Sequence, residues 1–98
     1  MNFEQHIQGT KPVLVIYYAE WCHLCQLMIP VLQRINEMKG DMISLFLVKI
    51  DENKRFAKKY NVFALPTLIL LHQSQVLWRK NGIAPESEIL EQLNLRAA

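Results

Sequence analysis

The chain has 98 residues, 51% of them apolar and 20% charged, with a formal net charge of +2. That supports one hydrophobic core and no second, so a single domain over residues 1–98 is expected. The small charge argues against a nucleic-acid or membrane-surface partner, and no segment approaches the roughly 20 apolar residues of a bilayer span.

The polar start, MNFEQHIQGT, lacks the charged and apolar regions of a secretion signal. The expected location is the cytoplasm, or the periplasm if a leader has been removed. In chain order, Asn2 to Gly9 reads as a short helix with Phe3, Ile7 and His6 turned inward. Val13 to Ala19 is an unbroken β-branched, apolar and aromatic run, which suits a strand covered on both faces. From Cys22 to about Lys39 apolar residues recur at helical spacing: Leu24, Leu27, Met28, Val31, Leu32, Ile35 and Met38. Pro30 is expected to kink that helix and Gly40 to stop it.

Ile43 to Ile50 reads as a second strand. Glu52 to Tyr60 reads as a helix with Phe56 and Tyr60 on one face and Lys54, Arg55, Lys58 and Lys59 on a solvated one. Thr67 to His72 and Val76 to Lys80, joined at Gln73-Ser74-Gln75, read as an antiparallel hairpin. Pro85-Glu86-Ser87-Glu88 opens a last helix carrying Ile89, Leu90 and Leu93. This order predicts α/β layering, a central mixed sheet of about four strands with helices on both faces.

The two cysteines, Cys22 and Cys25, stand two residues apart in Trp21-Cys22-His23-Leu24-Cys25, where an apolar strand gives way to a helix. A sulfur at a helix start meets unpaired backbone N–H groups and the positive end of the helix dipole, which favour its thiolate. The second sulfur lies one turn on, close enough to form a disulfide. The pattern therefore assigns attack to Cys22 and resolution to Cys25. His23, when cationic, would stabilise the Cys22 thiolate and disfavour the oxidised pair; alternatively it is a surface residue with little coupling.

Metal binding is the rival reading of the pair. Structural zinc takes four ligands, and His6, His23 and His72 fall on separate elements with no second ligand pair. No metal or other cofactor is therefore expected, leaving only a cluster shared between two chains as an alternative. A purely structural disulfide closing so short a loop removes little chain entropy. Ala64-Leu65-Pro66-Thr67 lies just before a strand, where proline is tolerated; from the residues alone its peptide bond is read as trans.

Tyr18-Ala19-Glu20-Trp21-Cys22-His23-Leu24-Cys25, with Pro30 five residues further on, resembles the thioredoxin family. So do Lys49-Ile50-Asp51-Glu52-Asn53, Tyr60-Asn61-Val62, Leu65-Pro66-Thr67-Leu68 and Gly82, in order and at family spacing. The resemblance implies a cis bond before Pro66, packed against the disulfide, and a substrate strand pairing with the backbone of Leu65. Trp21, Phe63, Ala64 and Gly82 would complete the groove around Cys22. It also implies protein disulfides as substrates and an upstream donor such as a thioredoxin reductase, with the protein acting as a monomer.

Three departures stand out. His23-Leu24 replaces the common Gly-Pro between the cysteines. The family's buried aspartate and its lysine partner fall at Ile16 and Leu47, so resolution by Cys25 is slower, or is served by water or Glu20. The chain also starts too late for the family's usual first strand. The expected activity is protein-disulfide reduction; a disulfide oxidant or isomerase and a non-catalytic, redox-responsive binding module are the alternatives.

Overall fold

The computed structural model describes residues 9–97. The helix expected over Asn2 to Gly9 falls, but for Gly9, outside them. The rest follows as β1 (Val13–Tyr18), α1 (His23–Lys39), β2 (Ser44–Lys49), a 3-10 turn (Ile50–Glu52), α2 (Lys54–Lys59), β3 (Thr67–His72), β4 (Gln75–Asn81) and α3 (Glu86–Ala97).

The strands form one four-stranded sheet in the order β2-β1-β3-β4. β1 and β2 run parallel, joined through α1, while β3 lies antiparallel to both β1 and β4. The unbroken apolar run of β1 is explained by its position, since alternate residues serve different cores. Leu14 and Ile16 join Leu68 and Leu70 of β3 beneath Met28, Leu32 and Ile35 of α1 and Ile89 and Leu93 of α3. Val13, Val15 and Tyr17 join Ile69 and Leu71 on the opposite face, with Tyr60 and Phe56. Truncating a fully buried residue such as Leu32 or Ile35 to alanine in such a layer costs about 2–5 kcal/mol.

Several local readings shift. Helix α1 runs continuously through Pro30, whose ring nitrogen has no N–H to donate back to the Gln26 carbonyl. Its buried stripe is Cys25, Met28, Leu32 and Ile35, whereas Leu24, Leu27 and Met38 are exposed. The apolar residues of α1 span more of its circumference than one sheet face can cover. The helix expected over Glu52 to Tyr60 is divided at Asn53, whose extended φ of −138° interrupts it and whose side-chain amide donates to the Lys49 carbonyl at 3.0 Å.

Side-chain clamps then fix the layers. Arg79 on β4 donates to the carbonyls of Tyr60 and Asn61 just after α2. Lys80 meets Glu88 at 3.3 Å and Arg34 meets Glu86 at 2.8 Å, joining α3 to β4 and to α1. Such surface pairs contribute about 0–1 kcal/mol each, so they orient the helix more than they stabilise it.

Candidate active site

Cys22 ends the loop after β1 and caps α1. Its N–H bonds the Ala19 carbonyl at 3.1 Å, and its extended backbone precedes the first helical residue, His23. The Cys25 amide donates to Cys22 Sγ at 3.2 Å. A sulfur thus holds the place that Ser, Thr, Asp or Asn takes in most helix caps. The first turn of α1 has no acidic side chain, so no carboxylate there offsets the positive helix end felt by that sulfur. In the reduced protein the same amide and the same dipole favour a thiolate at Cys22.

The environment of Cys25 differs. Its exposure is 0% against 7% for Cys22, and it lies in a small cluster with Ala19, Tyr18, Ile50 and Leu65. The two cysteines form a disulfide, with Cα atoms 5.3 Å apart. Cys22 thus keeps a small residual exposure and its sulfur is hydrogen-bonded, whereas Cys25 is fully enclosed. Opening and closing their bond moves two electrons without any bound group. Among the described residues, no three His, Cys, Asp or Glu side chains gather as a metal site.

The other sequence-selected residues converge on this end of the sheet. The Leu65–Pro66 bond is cis, as the resemblance implied and against the reading from residues alone. Pro66 is buried, and Leu65 packs against the cysteine cluster. Among the described residues, the N–H and C=O of Leu65 have no hydrogen-bond partner. Thr67 donates its hydroxyl to the Ala64 carbonyl at 2.6 Å, which fixes the turn into β3. Gly82 donates its N–H to the Pro66 carbonyl at 2.7 Å and holds a φ of +105°, a backbone region that side chains other than hydrogen resist.

Trp21 and Phe63 are 75% and 80% exposed. Large aromatic rings left in water mark a surface that gains by being covered. Not anticipated from the sequence was the exposure of Ile83, which follows Gly82, and of Leu24, which lies between the two cysteines. Leu24 reads as part of the apolar series of α1, and only the fold shows it exposed. His23 is likewise exposed.

The positions of the absent charged pair are also resolved. Ile16 is fully buried beneath α1, and Leu47 is its register partner across β1 and β2. The two substitutions therefore meet, so replacing both leaves no stranded charge. Glu20 does not take their place as a buried acid. Its carboxylate is fully exposed and bound to the Lys49 ammonium at 2.8 Å, which holds its pKa below the usual carboxylate value. Lys49 in turn is raised, first by the hydrogen bond to Glu20.

This geometry coincides with clear kinship. The thioredoxin family model matches residues 1–95. The thioredoxin of Alicyclobacillus acidocaldarius is 36% identical over 92 residues, covering 94% of this chain and 88% of that protein. A thioredoxin-like protein of Synechocystis is 34% identical over 95 residues, covering 96% and 90%. The solved thioredoxin of Malassezia sympodialis superposes with a TM-score of 0.87 at 27% identity, covering 98% of this chain and 84% of that one. The chain belongs to the thioredoxin family, and with its Cys22–Cys25 pair it is a thiol–disulfide oxidoreductase.

Proposed function

We propose that the protein reduces disulfide bonds in protein substrates, with Cys22 as the attacking sulfur and Cys25 as the resolving one. The carrying observation is the asymmetry of the pair: Cys22 Sγ accepts the Cys25 amide at 3.2 Å and Cys22 keeps a small residual exposure, while Cys25 is fully enclosed. The Cys22 thiolate attacks one substrate sulfur, the substrate S–S bond breaks, and the released substrate thiolate takes up a proton. Cys25 then gives its proton to water and attacks Cys22 Sγ, releasing the second substrate thiolate. The substrate gains two electrons, and the protein is left with the Cys22–Cys25 disulfide.

Substrate docking falls to the groove. Trp21 and Phe63 offer apolar contact, and the free N–H and C=O of Leu65 suit one rung of an extended chain. Ala64, Pro66 and Gly82 shape the floor, since a Cβ at Gly82 would strain its positive φ. Water, rather than Glu20, serves as the base for Cys25, because Glu20 is exposed and committed to Lys49. His23, exposed beside Cys22, tunes the pair only when cationic, by stabilising the thiolate and so the reduced form. Re-reduction then comes from a donor of the thioredoxin-reductase type, in a reducing compartment such as the cytoplasm.

Reduction of insulin with dithiothreitol as electron source tests this directly. The wild type is expected to accelerate reduction, and Cys22→Ser to abolish the acceleration. A wild type no faster than dithiothreitol alone would leave only a groove that binds without turnover.

A further inference from the structure

Charge is spread unevenly over the chain. Between Asn53 and Pro85 the sequence holds no Asp or Glu, while Lys54, Arg55, Lys58 and Lys59 all fall on α2. The inward face of α2 is taken by the buried Ala57 and by Phe56, which packs with Tyr60 on the core around Tyr17. The four cations are therefore turned outward, and all four are exposed. Other cations have partners of their own: Arg34 pairs with Glu86, Lys80 with Glu88, and Lys49 with Glu20 and Glu52. Among the described residues, none of the four on α2 has a carboxylate partner. Lys59 lies over the Tyr60 ring at 5.5 Å, a contact that does not neutralise it.

This cationic face cannot lie far from the cysteine pair. Ile50 and Leu65 both pack against the cluster of Ala19, Cys22 and Cys25, and α2 lies between them in the chain. Lys54 follows Ile50 closely enough that at most about 14 Å of chain separates them. α2 adds six residues, a length of about 9 Å. Its far end is tied to the sheet by Arg79, which donates to the carbonyls of Tyr60 and Asn61. The chain then runs through the exposed Phe63 to Leu65, whose N–H and C=O are open to an incoming strand. Glu20 and Glu52, which would oppose an acidic partner there, are drawn to Lys49.

We propose that α2 is the docking flank for acidic substrates: its Lys54, Arg55, Lys58 and Lys59 face receives the Asp and Glu side chains of a protein segment that presents its disulfide to Cys22. The inference rests on the reductase reading and names the substrate class which that site favours. An extended segment lying along Leu65 advances about 3.3 Å per residue. Carboxylates within about four residues of the substrate cysteine therefore reach the α2 cations. Exposed ion pairs add little affinity one by one, but several like charges on one face speed encounter and reject a basic competitor. A nucleic acid would match the charge, yet it brings no disulfide to the cysteines beside it.

Three synthetic peptides test this, each carrying the same central disulfide flanked by Glu, by Gln or by Lys. Their reduction by the full chain, above the rate with dithiothreitol alone, is compared as kcat/KM at about 0.01 M ionic strength, where charges act over about 30 Å. The expected order is Glu above Gln above Lys, with about tenfold or more between the extremes. The spread should collapse at about 1 M salt, where that range falls to about 3 Å. Lys58→Glu with Lys59→Glu is expected to erase or invert the order, and the milder Lys58→Gln with Lys59→Gln to narrow it. Equal rates for the three peptides in the wild type overturn the proposal and leave the reductase reading standing. If those equal rates accompany retention of a DNA duplex at about 0.15 M salt, the face belongs to a nucleic acid instead. An order that survives both double substitutions overturns it too, because the charge is then read elsewhere. Reduction of none of the peptides overturns the reductase reading, and the proposal with it.

Discussion

Cys22 owes its character to where the helix starts. Its sulfur takes a cap position, receives the Cys25 amide and sits where no carboxylate offsets the helix dipole. That much was legible from the Cys-x-x-Cys spacing and the change from strand to helix. Ile16 tests a finer point at the same scale. Buried beneath α1 and paired in register with Leu47, it occupies the position where the family resemblance places an acid. Ile16→Asp is expected to speed resolution of a mixed disulfide at Cys22, while burying an unpaired carboxyl costs about 3 kcal/mol or more. Adding Leu47→Lys should recover about 0.5–3 kcal/mol of that loss through the new pair, read from urea unfolding midpoints. An unchanged resolution rate in Ile16→Asp would show that the missing acid is irrelevant to this chain. The exposure of Leu24 and Ile83, by contrast, was illegible, because leucine and isoleucine carry the same signal in a core and on a binding rim.

Elements were read well where their period was strong and less well at their joints. The β1 run and the β3–β4 hairpin fell where expected, since a buried strand needs apolar residues on both faces. The break at Asn53 was hidden because asparagine is tolerated within helices and signals a stop only through the bond it makes, here to Lys49. The hairpin turn is a similar case. Gln73 and Ser74 hold φ values of 51° and 68°, the two positive values of a two-residue turn that ordinarily selects Asn-Gly. Neither residue favours that region, so the turn carries a local cost the sequence does not announce. Replacing them together, Gln73→Asn with Ser74→Gly, is expected to stabilise the fold by about 1–2 kcal/mol. Thermal unfolding should then rise by several degrees. An unchanged or lower Tm would mean that the flanking strands, not the turn residues, set the geometry.

At the scale of the whole molecule, a single sheet organises both cores and brings the cysteine pair, the cis-proline turn and Gly82 to one end. Their convergence could be expected only through the family resemblance, because residues more than forty positions apart share no local signal. The direction of electron flow is likewise a whole-molecule quantity, set by how strongly the fold favours the thiolate at Cys22 over the closed disulfide. Equilibration of the Cys22–Cys25 pair against glutathione buffers measures it. A protein-disulfide reductase requires a potential more negative than about −200 mV, with the pair largely oxidised in mildly reducing buffer. A value near −120 mV, where strong oxidants lie, would contradict the account and make the protein a donor of disulfides instead.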